Sequence, residues 1–188
     1  WRFALAGIGI AGLYSAWEFW RSLPESNNFR PGQPGLKPLI DGARKHMNDD
    51  GLPWLYALAF LLMGVFVSLY NYISYRLLGA PFGLGQSAVG AVSVLYLLGM
   101  ASSVWAGRLA DRIGRRNVLW MTMSMTMAGV VLTLSQSLVV IIAGLGLATF
   151  GFFASHSVAS SWVGRRANAP KALASALYLF FYYLGSSV

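Results

Sequence analysis

The stretch GRLADRIGRR, residues 107–116, sets four arginines, one aspartate and two glycines between two long apolar runs. Charge this dense needs a reason in a chain that is 56% hydrophobic and only 11% charged, with a mean hydropathy of +0.57. Soluble domains carry about a quarter charged residues. A chain of 188 residues with this composition is too apolar for a single water-soluble core, so the decapeptide reads as a loop between membrane-spanning helices. The net charge of +8 would point a soluble protein toward nucleic acid. In a membrane protein the position of charge matters more than its total, and no nucleic-acid partner is expected. The absence of cysteine excludes disulfides, thiol nucleophiles and cysteine-based metal sites.

A helix needs about 20 mostly apolar residues to cross a bilayer. Working outward from the decapeptide, such runs fall at 1–20, 53–78, 86–106, 117–135, 138–162 and 172–188. Within the fourth, WMTMSMTMAG alternates with period two, as a barrel strand does. The apolar run around it extends over 117–135, which selects helix. The chain opens at Trp1 without an initiator methionine and stops at Val188 within an apolar run, which reads as an internal fragment of a longer protein.

Lysines and arginines mark the side that each connection faces, because cytoplasmic loops retain the excess. The connection over 21–52 holds Arg21, Arg30, Lys37, Arg44 and Lys45; the decapeptide holds Arg108, Arg112, Arg115 and Arg116; the last holds Arg165, Arg166 and Lys171. The two connections between these hold none, with Arg76 standing at a helix end. This alternation supports the six spans and places the charged loops in the cytoplasm. The 21–52 segment is rich in proline and carries both charge signs, so it reads as a linker between two larger units. Part of it, LKPLIDGARKHM, suits a short helix lying along the membrane surface.

In the decapeptide, Gly107 and Gly114 allow a tight turn and close backbone approach. Asp111 is its one acid, able to pair with the surrounding arginines or to sit at the positive N-terminal end of a helix. Positive-inside bias alone accounts for a basic loop, but not for the order of residues. Gly-x-x-x-Asp-Arg-x-Gly-Arg-Arg, matched at Gly107, Asp111, Arg112, Gly114, Arg115 and Arg116, resembles the signature loop of the major facilitator superfamily. That loop lies between helices 2 and 3 and again between helices 8 and 9. The long linker ahead of it selects the second site. LPES at 23–26 resembles the end of helix 6 in drug-efflux-type members, and GFFASHSVASSW and SALYLFFYYLGSS resemble a bacterial inner-membrane group within the family.

The resemblance covers the whole chain and implies an all-α membrane protein, part of a twelve-helix fold and mainly its C-terminal six-helix half. Residues 1–20 would be helix 6, 21–52 the central cytoplasmic loop and 53–188 a partial bundle of helices 7 to 11. It implies a multi-pass secondary transporter of the bacterial inner (plasma) membrane, moving a small molecule by alternating access, outward and with proton coupling. Its partners would be the small-molecule substrate, protons, the lipid bilayer and the N-terminal half of the same polypeptide. No cofactor or metal is implied. Asp111 and Arg112 would be latch residues on the cytoplasmic side, with Arg115 and Arg116 pairing nearby and Gly107 and Gly114 permitting close packing. The helix facing Asp111 would be helix 5 of the missing half. The reciprocal contact would fall at 171–176, a run of small residues.

By the same resemblance, helices 7 and 10 line the central cavity and helices 8 and 11 flank it. Tyr70, Asn71 and Tyr75 are candidates from helix 7, with Asn71 and Tyr75 on one helical face. An interfacial aromatic belt with one interhelical hydrogen bond explains them equally well, and suits Tyr72 better. Helix 10 offers His156 among Ser155, Ser157, Ser160 and Ser161, either as a proton-coupling group or as a hydrogen-bonded packing residue. Tyr182 is the candidate from helix 11, with Tyr178 and Tyr183 beside it. Glu18 is the sole acid within any span, so a buried carboxylate carrier would have to come from elsewhere. Met121, Met123, Met125 and Met127 suit packing better than copper(I), having no cysteine or histidine nearby.

A membrane-embedded enzyme or another polytopic protein is the competing class. The spacing of His46 to Asp49 and Asp50 does not match a lipid acyltransferase pair, and no glycine loop precedes a Lys-Ser/Thr pair as nucleotide binding needs.

Overall fold

The structure, a computed structural model, describes residues 2–24, 35–168 and 170–187. The chain divides into two units, Trp1–Pro34 and Gly35–Val188. In the first, α1 (Arg2–Ser22) is a single helix with no buried residue. Glu25 and Ser26 of the LPES stretch lie outside the described residues, as does Arg30 of the linker.

The second unit holds α2 (Leu36–Met47), α3 (Leu52–Leu78), α4 (Gln86–Ala91), a 3-10 turn at Val92–Leu95, α5 (Tyr96–Ile113), α6 (Arg115–Leu132), α7 (Leu138–Arg166) and α8 (Lys171–Gly185). Every described element is helical, which confirms the all-α class. Among the described residues, three stretches are long and apolar enough to cross a membrane: Leu52–Leu78, Gln86–Ile113 and Leu138–Arg166. The other expected spans form α1, α6 and α8, which are shorter or carry charge near their ends. Large apolar side chains face outward on these helices, among them Trp54, Trp120, Met127 and Val139. Lipid accommodates such a surface, whereas a soluble protein would aggregate through it.

The span expected at 86–106 continues to Ile113, so seven residues of the decapeptide are helical. Arginines at 108 and 112 reach past the end of an apolar helix without breaking it. The break comes at Gly114, where φ is 86° and ψ 146°, a conformation that a side chain disfavours. Asn117 donates to the Ile113 carbonyl at 2.9 Å, satisfying an acceptor at the end of α5.

Helix α7 is the hub, packing on α3, α5, α6 and α8. Its seam with α6 is made of small residues: a Cβ on Gly129 would lie 2.3 Å from the Ala148 nitrogen, and one on Gly151 2.6 Å from the Thr122 carbonyl. Small residues of this kind let helices meet in lipid, where dispersion and hydrogen bonding replace the hydrophobic drive. Ser155 donates to the buried Thr122 hydroxyl at 2.8 Å across the same seam. Helices α3 and α8 cross equally closely at Gly185 against the Phe60 carbonyl. At the end away from the arginine-rich loops, Arg76 donates to the carbonyls of Thr133 and Ser135, tying α3 to the α6–α7 turn.

The linker helix α2 belongs to this second unit. His46 is buried and lies 3.1 Å by Nε2 from the Pro170 carbonyl, and Gly42 admits Leu173 against the helix. The short helix expected at LKPLIDGARKHM is formed over Leu36–Met47 and is seated on the α7–α8 turn, with Leu36, Leu39 and Ile40 left exposed.

Candidate functional site

The decapeptide builds an ion cluster where α5, α6 and α7 meet. Asp111, on the last turn of α5, accepts from Arg115 at 3.1 Å, an i,i+4 pair across the Gly114 break, and lies 3.7 Å from Arg165 of α7. The Asp111 and Arg165 side chains are 62% and 66% exposed, whereas Arg115 is 19% exposed and its Nε is buried with no hydrogen bond. Arg112 is exposed beside Trp105, Arg108 and Leu109. Arg116 is exposed too, and lines a cavity of about 390 Å³ with Trp54, Trp120 and Trp162. Gly107 lies inside α5, and a Cβ there would meet nothing within 4 Å. Among the described residues its smallness therefore serves no contact, unlike the backbone role of Gly114.

Arg166, next to Arg165, turns to a different acid. Its Nε donates to Asp49 Oδ1 at 2.5 Å, and the same oxygen accepts from the amides of Gly51 at 2.9 Å and Leu52 at 2.8 Å. Asp49 thus caps α3 while pinning it to the end of α7. A Cβ on Gly51 would stand 2.6 Å from the Arg166 guanidinium carbon, so glycine there lets the arginine in. The Arg166 hydrogen bond, helped by the two amides and opposed by partial burial, lowers the Asp49 carboxyl from its ordinary 3.8 to about 2. The folded state binds this proton less tightly than the unfolded chain. Its contribution is therefore complete above about pH 4 and disappears as pH falls toward 2. Asp49→Ala is expected to destabilise by about 1–2 kcal/mol, losing cap and pair together, and Asp49→Asn by less because its amide oxygen still caps. Thermal unfolding in detergent between pH 5 and 2.5 checks this, with the flatter profile belonging to Asp49→Asn.

The second constellation is aromatic and lies between α3, α5, α7 and α8. Tyr70 of α3 shares a hydrogen bond with Thr149 of α7 at 2.6 Å and packs against Phe66 at 4.8 Å and Tyr96 at 5.1 Å between ring centroids. Phe66 stacks on Phe152 at 3.9 Å. From Phe152 the cluster continues to His156 at 6.4 Å, and the His156 ring lies 4.5 Å from Tyr182 and 5.6 Å from Tyr178. Three of the five residues proposed from sequence, Tyr70, His156 and Tyr182, thus stand in one chain of rings. Asn71 and Tyr75 do not join it. They share a helical face, as their spacing requires, but that face is exposed in this unit and turned from the cluster. Phe66, Tyr96 and Phe152 carry no signal as cavity residues, since nothing in an aromatic-rich sequence marks which rings will meet, whereas Tyr178, read from the sequence beside Tyr182, does join the cluster. Among the described residues, no three His, Asp or Glu side chains gather as a metal site would need.

A helical membrane bundle, with an arginine–aspartate cluster at one end and an aromatic and histidine seam inside, defines the class. The major facilitator superfamily matches residues 1–188, and the chain belongs to that family. It is 50% identical over its whole length to the inner membrane transport protein YnfM of Escherichia coli (strain K12), covering 45% of that protein. It is 44% identical to the uncharacterized MFS-type transporter YybF of Bacillus subtilis (strain 168), covering 46%, and 41% identical to an uncharacterized transporter of Buchnera aphidicola subsp. Schizaphis graminum, also covering 46%. The chain thus spans a little under half the length of the curated relatives it matches. No solved structure matches it.

Proposed function

We propose that this chain is helices 6 to 11 of a bacterial inner-membrane secondary transporter that exports a small molecule by alternating access in exchange for protons. Membership of a transporter family supports the general activity. The observation that carries the mechanism is the Asp111 cluster: an exposed carboxylate shared between arginines of α6 and α7, at an end of the bundle rich in positive charge. A carboxylate this exposed adds little to folding through its pairs. An open one is suited to a second surface, and the N-terminal half supplies that surface as the transporter closes on the cytoplasmic side.

The aromatic seam is the substrate side of the same reading. Its rings offer stacking faces, its tyrosine hydroxyls offer hydrogen bonds, and His156 is the ionisable group within it whose ordinary pKa lies near neutrality. No charged side chain among the described residues pairs with His156. This half of the cavity therefore suits a weakly polar or aromatic cargo, with His156 carrying the coupling proton.

The test is efflux from cells lacking the intact gene and from complemented cells, across a panel of chemically diverse fluorescent compounds, with and without a protonophore. Complemented cells are expected to accumulate less of at least one compound, and the protonophore to abolish the difference. His156→Gln is expected to leave residual efflux that no longer responds to the proton gradient. Equal accumulation throughout the panel would count against export, and protonophore-insensitive export would remove the proton from the mechanism.

A further inference from the structure

Helix α2 carries an apolar stripe that the rest of the second unit leaves open. At about 100° per residue, Leu36, Leu39, Ile40, Ala43 and Met47 fall within one arc of roughly 100°. One flank of the arc is closed by protein. A Cβ on Gly42 would stand 2.8 Å from Leu173 Cδ2, and His46 is buried against the Pro170 carbonyl. The other flank is basic, with Lys37 and Arg44 seven apart on one side of the helix and both exposed. The helix's single acid, Asp41, lies with Lys45 on the far side from the stripe. Between the two flanks Leu36 is 74% exposed, Leu39 54% and Ile40 58%. The depth of the stripe follows from its neighbours. Residues 48–51 join α2 to Leu52, where an apolar span begins, and α2 packs on the first turn of α8. Gly51 shares a cavity with Trp54, Trp120 and Trp162, and tryptophans collect at the headgroup level of a bilayer. The stripe therefore lies where hydrocarbon gives way to water.

We infer that α2 is an interfacial anchor for anionic phospholipid. Leu36, Leu39 and Ile40 enter the acyl boundary of the leaflet at the arginine-rich end of the bundle, and Lys37 and Arg44 reach its phosphates. An amphipathic helix binds a membrane in this way, by apolar area on one face and cationic attraction beside it. The stems of the two cations lie along the stripe while their charged ends point outward. Each cation held near an anionic surface strengthens binding about fivefold. A protein partner would have to bring both an apolar groove and acids to face Lys37 and Arg44. An anionic bilayer presents hydrocarbon and negative charge in the layered order that the helix matches. The anchor also reaches the bundle, because Gly42 and His46 seat α2 on the α7–α8 turn. Lipid contact on α2 thus holds the height of that turn relative to the headgroups.

The inference needs the membrane architecture but neither the cargo nor the coupling proton. Its test uses full-length protein freed of any other cysteine and carrying one nitroxide, at Ile40→Cys or, separately, at Lys45→Cys. The protein is placed in nanodiscs of phosphatidylcholine alone or mixed with phosphatidylglycerol. Collisions with oxygen report lipid contact, and collisions with a water-soluble nickel chelate report water. With phosphatidylglycerol present, the label at position 40 is expected to meet oxygen and the label at 45 to meet nickel. Lys37→Gln combined with Arg44→Gln is expected to lower the ratio of lipid-facing to water-facing label at 40 at least about fivefold in those discs. In phosphatidylcholine alone the same pair of substitutions is expected to change it little. Both positions are exposed and far from the Asp49–Arg166 pair, and a wild-type size-exclusion profile shows that the variants fold. Nickel access at position 40 in both kinds of disc would leave the helix in water and overturn the anchor. Shielding from both reagents would mean that protein covers the stripe, from the N-terminal half or a second copy, and would overturn it equally. A ratio unmoved by the paired substitution would remove the anionic lipid from the inference.

Discussion

Asp111→Asn in the full-length protein is expected to slow transport at least tenfold while leaving membrane insertion and thermal stability close to wild type. The separation follows from where the carboxylate lies. Its side chain is 62% exposed, and its contacts within the chain are an i,i+4 pair with Arg115 and a longer approach to an equally exposed Arg165. Exposed pairs of this kind contribute about 0–1 kcal/mol, and asparagine keeps the shape and an acceptor oxygen for Arg115. The bundle therefore hardly notices the substitution. What changes is the charge available to a second surface, which under the proposed function belongs to the N-terminal half. If a helix end of the N-terminal half meets that charge, losing it removes an interaction made in one conformation and not the other, and the cycle is biased toward the open form. Efflux rate measured beside size-exclusion profile and melting temperature decides the matter. Transport at the wild-type rate would refute the latch. A loss of folded protein matching the loss of transport would move Asp111 into the scaffold.

The same residues show how far one sequence can be read. The alternation of arginine-rich and arginine-free connections revealed the helical membrane architecture, because the bilayer acts on each loop separately. Helix ends were less legible: α5 runs on through Arg108 and Arg112 to Ile113, since long cationic side chains let a helix outlast its apolar stretch. The Asp49 cap was readable in principle, from an acid two residues before a glycine and four before a proline. Its bond to Arg166, 117 residues away, was not. The cavity candidates divided for a related reason. Periodicity established that Asn71 and Tyr75 share a face, yet α3 is apolar nearly all round, so no polar side marks which face meets α7. Tyr70 does, by one hundred degrees of helix rotation.

Gly129→Ala is expected to cost more than about 3 kcal/mol and to remove most folded protein, a severe outcome for one added methyl. Overpacking a core ordinarily costs about 1–3 kcal/mol because side chains shift to make room. Here the obstacles are backbone. The new Cβ would stand 2.3 Å from the Ala148 nitrogen, 2.6 Å from the Gly144 carbonyl oxygen and 2.7 Å from the Ala148 Cα. Relief requires α6 and α7 to separate along a seam that also contains Gly144, Gly151 and the Ser155–Thr122 hydrogen bond. In lipid, separated helices gain no compensation from water, and the lost dispersion contacts are the seam's main source of stability. Gly90→Ala supplies the contrast, because a Cβ there meets nothing within 4 Å and alanine favours the helix. Yield of monodisperse protein in mild detergent, followed by thermal unfolding of what survives, compares the two. If Gly129→Ala melted with Gly90→Ala, the α6–α7 seam would have to be looser than its backbone distances allow.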